Sequence, residues 1–390
     1  MEALKFGNGV WATKTGSSLA YNDQSGNYKP LPFNVVRNST ATRVNKKGLI
    51  EVVGHDKLRI DYTDTDKGVA LLEPSRTNLE DKSNEFITWS SNSNITRTAD
   101  YITSPDGTQN ATRLQFTANG FCSNKTQSLA TYTMSCYAKR NDSGTQNVGF
   151  FTNGSGVVNS AWAVTSDWKR FSYTFPALNG SAMGIAGVSG ADISVYGFQL
   201  EGLASYPTSY IPTSGSAVTR ASDLASGSGN SEVFNDSEGV LFANIAALAN
   251  DGTNRQSCIN DNSTSDRVMI NLHATSNQIQ GYITNGSGEQ ADMRFVVADT
   301  TLLNKVAVKY KLNDCALWVN GFEVATDNSA TMPIGLKQYN FDNSTGSLPF
   351  YGKTKEIGYY DAILTDSELE KLTSYRSLSE LVTELNLNTL

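Results

Sequence analysis

Val306-Ala307-Val308-Lys309-Tyr310-Lys311-Leu312-Asn313-Asp314-Cys315-Ala316-Leu317-Trp318-Val319-Asn320-Gly321-Phe322-Glu323-Val324 is the stretch on which the fold reading turns. Val306, Val308, Tyr310 and Leu312 alternate with Ala307, Lys309 and Lys311, the period of two that buries one face of a strand and wets the other. Asn313-Asp314 and Asn320-Gly321 interrupt the alternation at hairpin spacing, because these residues tolerate the positive φ of tight turns. The stretch therefore predicts two consecutive hairpins: a strand to Leu312, a second through Trp318, and a third from Phe322. The same punctuation recurs along the chain, with Asn-Gly at 8–9, 119–120, 153–154, 179–180, 285–286 and 320–321, and Asp-Gly at 106–107 and 251–252. Phe171, Tyr173 and Phe175 repeat the alternation. The pattern predicts an all-β protein of sandwich or barrel architecture.

Helices are predicted only near the C-terminus. Thr365-Asp366-Ser367-Glu368 fits a capping box, with Leu364 and Leu369 at the positions of a hydrophobic staple. Ser377-Leu378-Ser379-Glu380 repeats the cap, and Leu378, Leu381, Val382 and Leu385 form an apolar stripe. That stripe suits docking on its own domain or pairing with other copies of the chain.

At roughly 100–200 residues per domain, 390 residues suggest two or three domains. The 31 Lys+Arg against 38 Asp+Glu give a net charge of −7, the wrong sign for a protein that tracks phosphates. Only 18% of residues are charged, and Ser, Thr, Asn and 32 glycines fill the deficit, which suits short strands and tight turns. The four cysteines, Cys122, Cys136, Cys258 and Cys315, form no Cys-x-x-Cys pair beside histidine, so no zinc site is expected; Cys136 reads as a core residue. One disulfide stays open. No basic segment followed by an apolar one opens the chain, and no apolar run approaches the roughly 18–20 residues that cross a bilayer. Synthesis in a cytoplasm without a standard export signal is the expectation, with no membrane insertion.

Five segments are expected: a turn-rich N-terminal attachment segment over 1–78, a sandwich over 79–222, a linker over 223–230, a second sandwich over 231–376, and a helical tail over 377–390. The small-polar run Ala225–Ser231 has linker composition. Ala41-Thr42-Arg43 and Val218-Thr219-Arg220 echo each other, as two edge-like strands flanking one domain would, or by chance.

Sugar recognition by a sandwich uses exposed aromatic faces together with Asn, Asp, Gln or Arg. Tyr101, Trp162 and Tyr206 are the glycan-binding candidates. Trp162, near the loop Asn153-Gly154-Ser155-Gly156, is open between platform and core, whereas Trp89, Trp168 and Trp318 read as core. No catalytic residue is assigned: Asp61, Asp64 and Asp66 read as a solvated turn and lack the distant Glu of a calcium loop, and no Gly-x-Ser-x-Gly, His-Glu-x-x-His or Walker pattern is present. His55 and His273, the only two histidines, read as structural. No cofactor and no metal is expected.

Several segments in order resemble a known family. They are Val36-Arg37-Asn38-Ser39-Thr40-Ala41-Thr42-Arg43-Val44-Asn45, Gly48-Leu49-Ile50-Glu51, Arg59-Ile60-Asp61-Tyr62 and Leu71-Leu72-Glu73-Pro74-Ser75-Arg76-Thr77-Asn78-Leu79. Phe86-Ile87-Thr88-Trp89, Ser104-Pro105-Asp106-Gly107, Ala111-Thr112-Arg113-Leu114, Phe198-Gln199-Leu200-Glu201-Gly202, Thr208-Ser209-Tyr210-Ile211-Pro212-Thr213 and Ala217-Val218-Thr219-Arg220 follow. This set, over roughly 34–224, resembles a tailed-phage head-spike or tail-fibre domain related to jelly-roll carbohydrate-binding modules. More loosely, 231–376 is similar to concanavalin/laminin-G-type sandwiches. The resemblance implies a non-enzymatic virion structural protein, a head fibre or tail fibre assembled in the host cytoplasm. It further implies a homotrimer joined to other virion proteins through residues 1–78 and binding cell-surface glycan weakly at many copies. A bacterial surface or secreted adhesin and a capsule-degrading enzyme are the alternatives.

Overall fold

The computed structural model describes all residues except 23–26, 145–146, 153–155, 158–161, 176–177 and 385–390. The chain is all-β, with antiparallel strands and two short C-terminal helices. It forms two compact units: Met1–Asn38, Gly54–Pro74 and Ser222–Leu390 make the first, Ser39–Val53 and Ser75–Ala221 the second.

The first unit is a sandwich. Its larger sheet runs Leu224–Ser226, Lys29–Val36, Ser17–Asn22, Glu2–Gly7, Gly352–Tyr360, Glu238–Ala247, Asn304–Lys311, Cys315–Val319 and Phe322–Asp327. Its smaller sheet runs Gly288–Val296, Gln278–Asn285, Arg267–Leu272, Arg255–Asn260 and Gln338–Asn340. Leu241, Ala243, Val306, Val308 and Leu317 of the first sheet share one core with Ile259, Val268, Ile270 and Ile279 of the second. The hairpins expected over 306–324 are present, and Asn313 (φ 55°), Asn320 (φ 51°) and Gly321 (φ 94°) take the left-handed conformation the turns require.

Residues 1–78 do not form a separate irregular segment. Glu2–Gly7 pairs with Gly352–Tyr360, Lys5 opposite Gly358, and Lys29–Val36 pairs with Leu224–Ser226. The proposed linker is thus part of a sheet; Ser228 is fully buried and its hydroxyl donates to the Leu31 carbonyl at 2.6 Å. Small polar residues compose an edge strand as readily as a linker, and only the distant partner separates the two. At 119–120 and 179–180 the Asn-Gly pairs lie inside the strands Gln109–Leu129 and Leu178–Gly187, not at turns, and 153–154 falls outside the described residues. A Cβ on Gly120 would meet the Ser93 carbonyl oxygen at 2.1 Å, so close strand approach explains that glycine.

Part of the recurring motif is spent on an internal clamp in the first unit. The Asp223 carboxylate accepts from Arg37 Nη1 at 2.8 Å, from Arg59 Nη2 and from the Glu73 amide at 2.9 Å. Arg59 Nη1 donates to Glu73 at 2.7 Å, and Arg37 also donates to the carbonyls of Gly54 and Lys57. All four side chains are buried. Each residue lies within a few positions of a point where the chain passes from one unit to the other.

The helix Asp366–Thr373 carries the expected capping box, and Leu369 is buried with Phe242, Ala307 and Trp318. Leu378–Glu384 docks on its own unit, but through acids: Glu380 pairs with Lys305 at 3.0 Å and Glu384 pairs with Lys355. Leu378 is left exposed, and Leu385 lies outside the described residues.

The second unit is built on a ten-stranded sheet, with a separate two-stranded hairpin beside it. The strand Gln109–Leu129 pairs through residues 112–115 with Asp192–Gly202 and through 120–129 with Leu178–Gly187, so it serves both halves. Leu114, Phe116 and Cys122 along it face one core with Cys136, Phe150, Ile185, Ile193 and Leu200. The hairpin Ala41–Val44/Ile50–Val53 belongs to this unit: Thr42 Oγ1 donates to the Tyr210 carbonyl at 2.5 Å, and Ile50 packs with Tyr196 and Tyr210. The two echoing segments meet, since Ala41, Thr42, Val218, Thr219 and Arg220 line one cavity of about 110 Å³. All four cysteines are buried and free.

Candidate functional site

Strand periodicity places a polar strip on the outer face of the second unit's sheet. Leu114 and Phe116 point into the core, which turns Arg113 and Gln115 outward; Ile193 and Val195 do the same for Asp192 and Ser194. Register sets Arg113 opposite Thr98 on one neighbour and Ser194 on the other, with Lys139 opposite Ser194 in turn. The Arg113 guanidinium meets Asp192 in a fork, Nε to Oδ1 at 2.9 Å and Nη2 to Oδ2. Asn141 Nδ2 donates to Asp192 Oδ1 at 2.8 Å, and Ser194 donates to Asn141 Oδ1 at 2.7 Å. Partial burial pushes the Asp192 carboxyl up, but the bonds from Arg113 and Asn141 outweigh it and hold it below the usual carboxylate range. Arg113 is raised above its ordinary value, chiefly by its hydrogen bond to Asp192.

Tyr101 completes the strip. It lies on the strand Ser91–Thr103, 40% exposed, with the Arg113 guanidinium 4.7 Å from its ring centroid. Trp168 is half-buried, not core as the sequence suggests; its indole N–H donates to the Thr103 carbonyl at 3.1 Å, and Lys139 Nζ lies 6.0 Å from its ring. Asp-flanked strand ends gave no signal for Trp168, because its exposure depends on which neighbours the sheet leaves beside it. Arg113 Nη1 has no partner among the described residues. Aromatic faces, a guanidinium with spare donors, an ionised carboxylate and amide groups together match the needs of a polyhydroxylated ligand.

The other candidates lie elsewhere. Trp162 is 3% exposed, stacked on Phe171 at 5.0 Å and edge-on to Phe150 at 4.9 Å, so it presents no platform. Tyr206 is buried with the Arg76 guanidinium 5.4 Å from its ring. Trp89 and Trp318 are buried as expected. Many motif residues prove architectural: Asn78 bonds the carbonyls of Phe198 and Ile211, Gln199 receives the Ile211 amide at 2.6 Å, and Glu201 receives Thr208. Asp106 accepts from Ser104, Thr108, Asn110 and the Tyr196 hydroxyl, closing a loop. His55 is exposed, and His273 Nδ1 accepts the Thr275 amide at 2.9 Å. Asp64 pairs with Lys353, and among the described residues no three His, Cys, Asp or Glu side chains gather as metal ligands.

No protein-family description matches the chain, and no curated relative does. Solved structures similar to it include the CBM40 module of the Ruminococcus gnavus IT-sialidase bound to α2,3-sialyllactose, 18% identical over 36% of this chain and 84% of that one, with a TM-score of 0.31. Mouse laminin α1 domains LG4-5 are 10% identical over 64% of this chain and 86% of that one, with a TM-score of 0.26. The CBM22 tandem of Paenibacillus barcinonensis Xyn10C is 10% identical over 74% and 98%, with a TM-score of 0.27. At these scores the likenesses carry no argument about a site or a ligand.

Proposed function

We propose that this chain is a non-enzymatic glycan-binding protein whose sugar contact is the outer strip Tyr101–Arg113–Asp192–Asn141 of the second unit. The observation that carries the reading is the Arg113–Asp192 fork laid beside the exposed Tyr101 ring, which offers a stacking surface, charge-assisted donors and acceptors on three neighbouring strands. The strip's carboxylate is ionised and bonded to an arginine, a state that accepts hydroxyl protons and does not donate one, as the acid of a glycosidase must. Glu80, whose carboxyl titrates high in this unit, is fully buried and out of a substrate's reach. A glycan-array screen of the full chain tests the site. Binding lost in Tyr101→Ala and in Arg113→Gln but kept in Tyr206→Ala is the expected result; binding retained in both strip variants overturns the assignment.

The wider role we propose is that of a virion structural protein, a head or tail fibre that joins other virion proteins and presents the second unit to host-surface glycan. The ordered motif resemblance over 34–224 supports it. We propose attachment through the first unit, to which residues 1–38 and 54–74 of the segment expected over 1–78 belong. A homotrimer accompanies this reading and raises a weak single-site affinity by multivalency. Light scattering on concentrated protein that gives a clean monomer refutes the trimer, and absence of the chain from purified particles by mass spectrometry refutes the virion role. Release of new reducing ends from host capsule would replace the binder with an enzyme.

A further inference from the structure

A second polar cavity lies in the first unit, on the outer face of its larger sheet. Strands Glu2–Gly7, Gly352–Tyr360, Glu238–Ala247 and Asn304–Lys311 are neighbours there, and the registers align Glu356, Asn244 and Lys305 in one rank. Leu241, Ala243, Val306 and Ile357 take the core side, so period two turns Lys5, Phe242, Asn244, Lys305 and Glu356 to the other face. The helix Asp366–Thr373 covers Phe242 and Trp318 and leaves the Glu356–Asn244–Lys305 rank as a floor. The residues that follow it, with Lys67 opposite, wall off about 210 Å³.

The lining is cationic in an acidic protein. Lys5, Lys67, Lys305, Lys355, Lys371 and Arg376 surround the cavity with Glu2, Glu356 and Glu380. Lys5 is held by Glu2 and Glu356, Lys305 by Glu380, and Lys355 by Glu384. Lys67, Lys371 and Arg376 have no carboxylate partner among the described residues, so their charge is uncompensated. The floor has a second unmet demand: Asn244 is 2% exposed, and its side-chain Oδ1 is buried with no hydrogen-bond partner among the described residues. A buried, unpaired amide oxygen is costly unless something donates to it. Uncompensated cations ask for an oxyanion, and the amide oxygen asks for a hydroxyl. The space is large enough for one small molecule that reaches out through its open side.

We propose that this cavity binds a small hydroxylated oxyanion, a sugar acid or a sugar phosphate, with the anionic group toward Lys371 and Arg376 and a hydroxyl on Asn244. The site belongs to the first unit and does not depend on the Tyr101 strip. Isothermal titration of the full chain at low salt with glucuronate and with glucose 6-phosphate tests it, with glucose and inorganic phosphate as controls. One saturable site for at least one of the two hydroxylated anions is expected, and the tighter of them tells carboxylate from phosphate. Exposed ion pairs contribute a few-fold each, so two charges together give about tenfold in affinity. The double variant Lys371→Gln/Arg376→Gln, changed at exposed side chains, should therefore bind about tenfold more weakly. Lys46→Gln/Lys47→Gln in the other unit and Tyr101→Ala should bind as the parent does. Asn244→Asp, which places a carboxylate at the floor, should weaken binding further; should it fail to fold, the double variant still decides. No saturable binding of either anion, glucose or inorganic phosphate binding as tightly, or an unaffected double variant would each overturn the proposal.

Discussion

Replacing Glu80 by Gln should stabilise the second unit above neutral pH and do so less in mild acid. Glu80 is fully buried; its Oε1 accepts from the Lys82 amide at 3.0 Å and from Asn124 Nδ2 at 2.5 Å, while Oε2 has no partner among the described residues. Burial is the largest influence and pushes its carboxyl up from 4.5 to about 7, against the opposing pull of those hydrogen bonds. Between these two values the folded chain holds a proton that the unfolded chain has released. Stability therefore falls as pH rises from about 4.5 and levels off above about 7, where both states are ionised. At about 1.4 kcal/mol per pH unit, the full loss is about 3 kcal/mol. Gln keeps the acceptor oxygen and has no charge to desolvate, so the variant should not show this loss. Asp81, Asp106 and Asp192 are held low and act with the opposite sign, adding stability above their unfolded values and losing it in acid. Asp106 and Asp192 cancel in the difference between parent and variant, and the repulsion between Asp81 and Glu80 is already part of the Glu80 shift. Urea unfolding at pH 5, 6, 7 and 8, with hydrogen exchange read at the amides of Asp192–Gly202, isolates the unit concerned. The expected difference grows from about 1 kcal/mol at pH 5 to about 3 kcal/mol at pH 8 in favour of Glu80→Gln. A difference that stays constant with pH, or a parent more stable at pH 8, refutes the reasoning.

Three further outcomes follow from named contacts. Trp162→Ala should cost about 3–5 kcal/mol by urea titration, because its ring fills the core between Phe150 and Phe171; Tyr101→Ala should stay within about 0.5 kcal/mol of the parent while glycan binding is lost. Arg59→Met leaves Glu73 and Asp223 buried without their shared guanidinium and should lower the first unit's stability by about 3–5 kcal/mol, read by exchange at Glu2–Gly7. Glu380→Gln with Glu384→Gln removes both ion pairs of the helix Leu378–Glu384, so its amides should exchange at the rate of free peptide while those of Asp366–Thr373 stay protected.

Local chemistry carried the all-β reading. The strand over 306–311, the positive φ of Asn320-Gly321 and the capping box at Thr365 are each decided within a few residues and appear where expected, whereas Ala307 and Lys309 are buried along with Val306 and Val308, and Leu312 lies past the strand, 58% exposed. Tyr101 was also accessible to sequence reasoning, through its polar company near Pro105-Asp106. Its partners were not. Arg113 and Asp192 are 79 residues apart in the chain and meet only because two strands pair in one register. Trp162 shows the converse: its sequence neighbourhood left it open between platform and core, and Phe171 and Phe150 close on its ring.

What the sequence by itself determined was the kind of element: strands, their turns and two late helices, together with a net acidic charge. What only the tertiary structure decided was which elements belong together. Glu2–Gly7 carries no local mark of its partner Gly352–Tyr360, and Leu224–Ser226 reads as a linker until it is seen paired with Lys29–Val36. Strand pairing uses backbone groups that every residue possesses, so its specificity comes from side-chain packing across the sheet. That packing turned scattered lysines, one buried asparagine and a distant Arg–Asp pair into two polar sites.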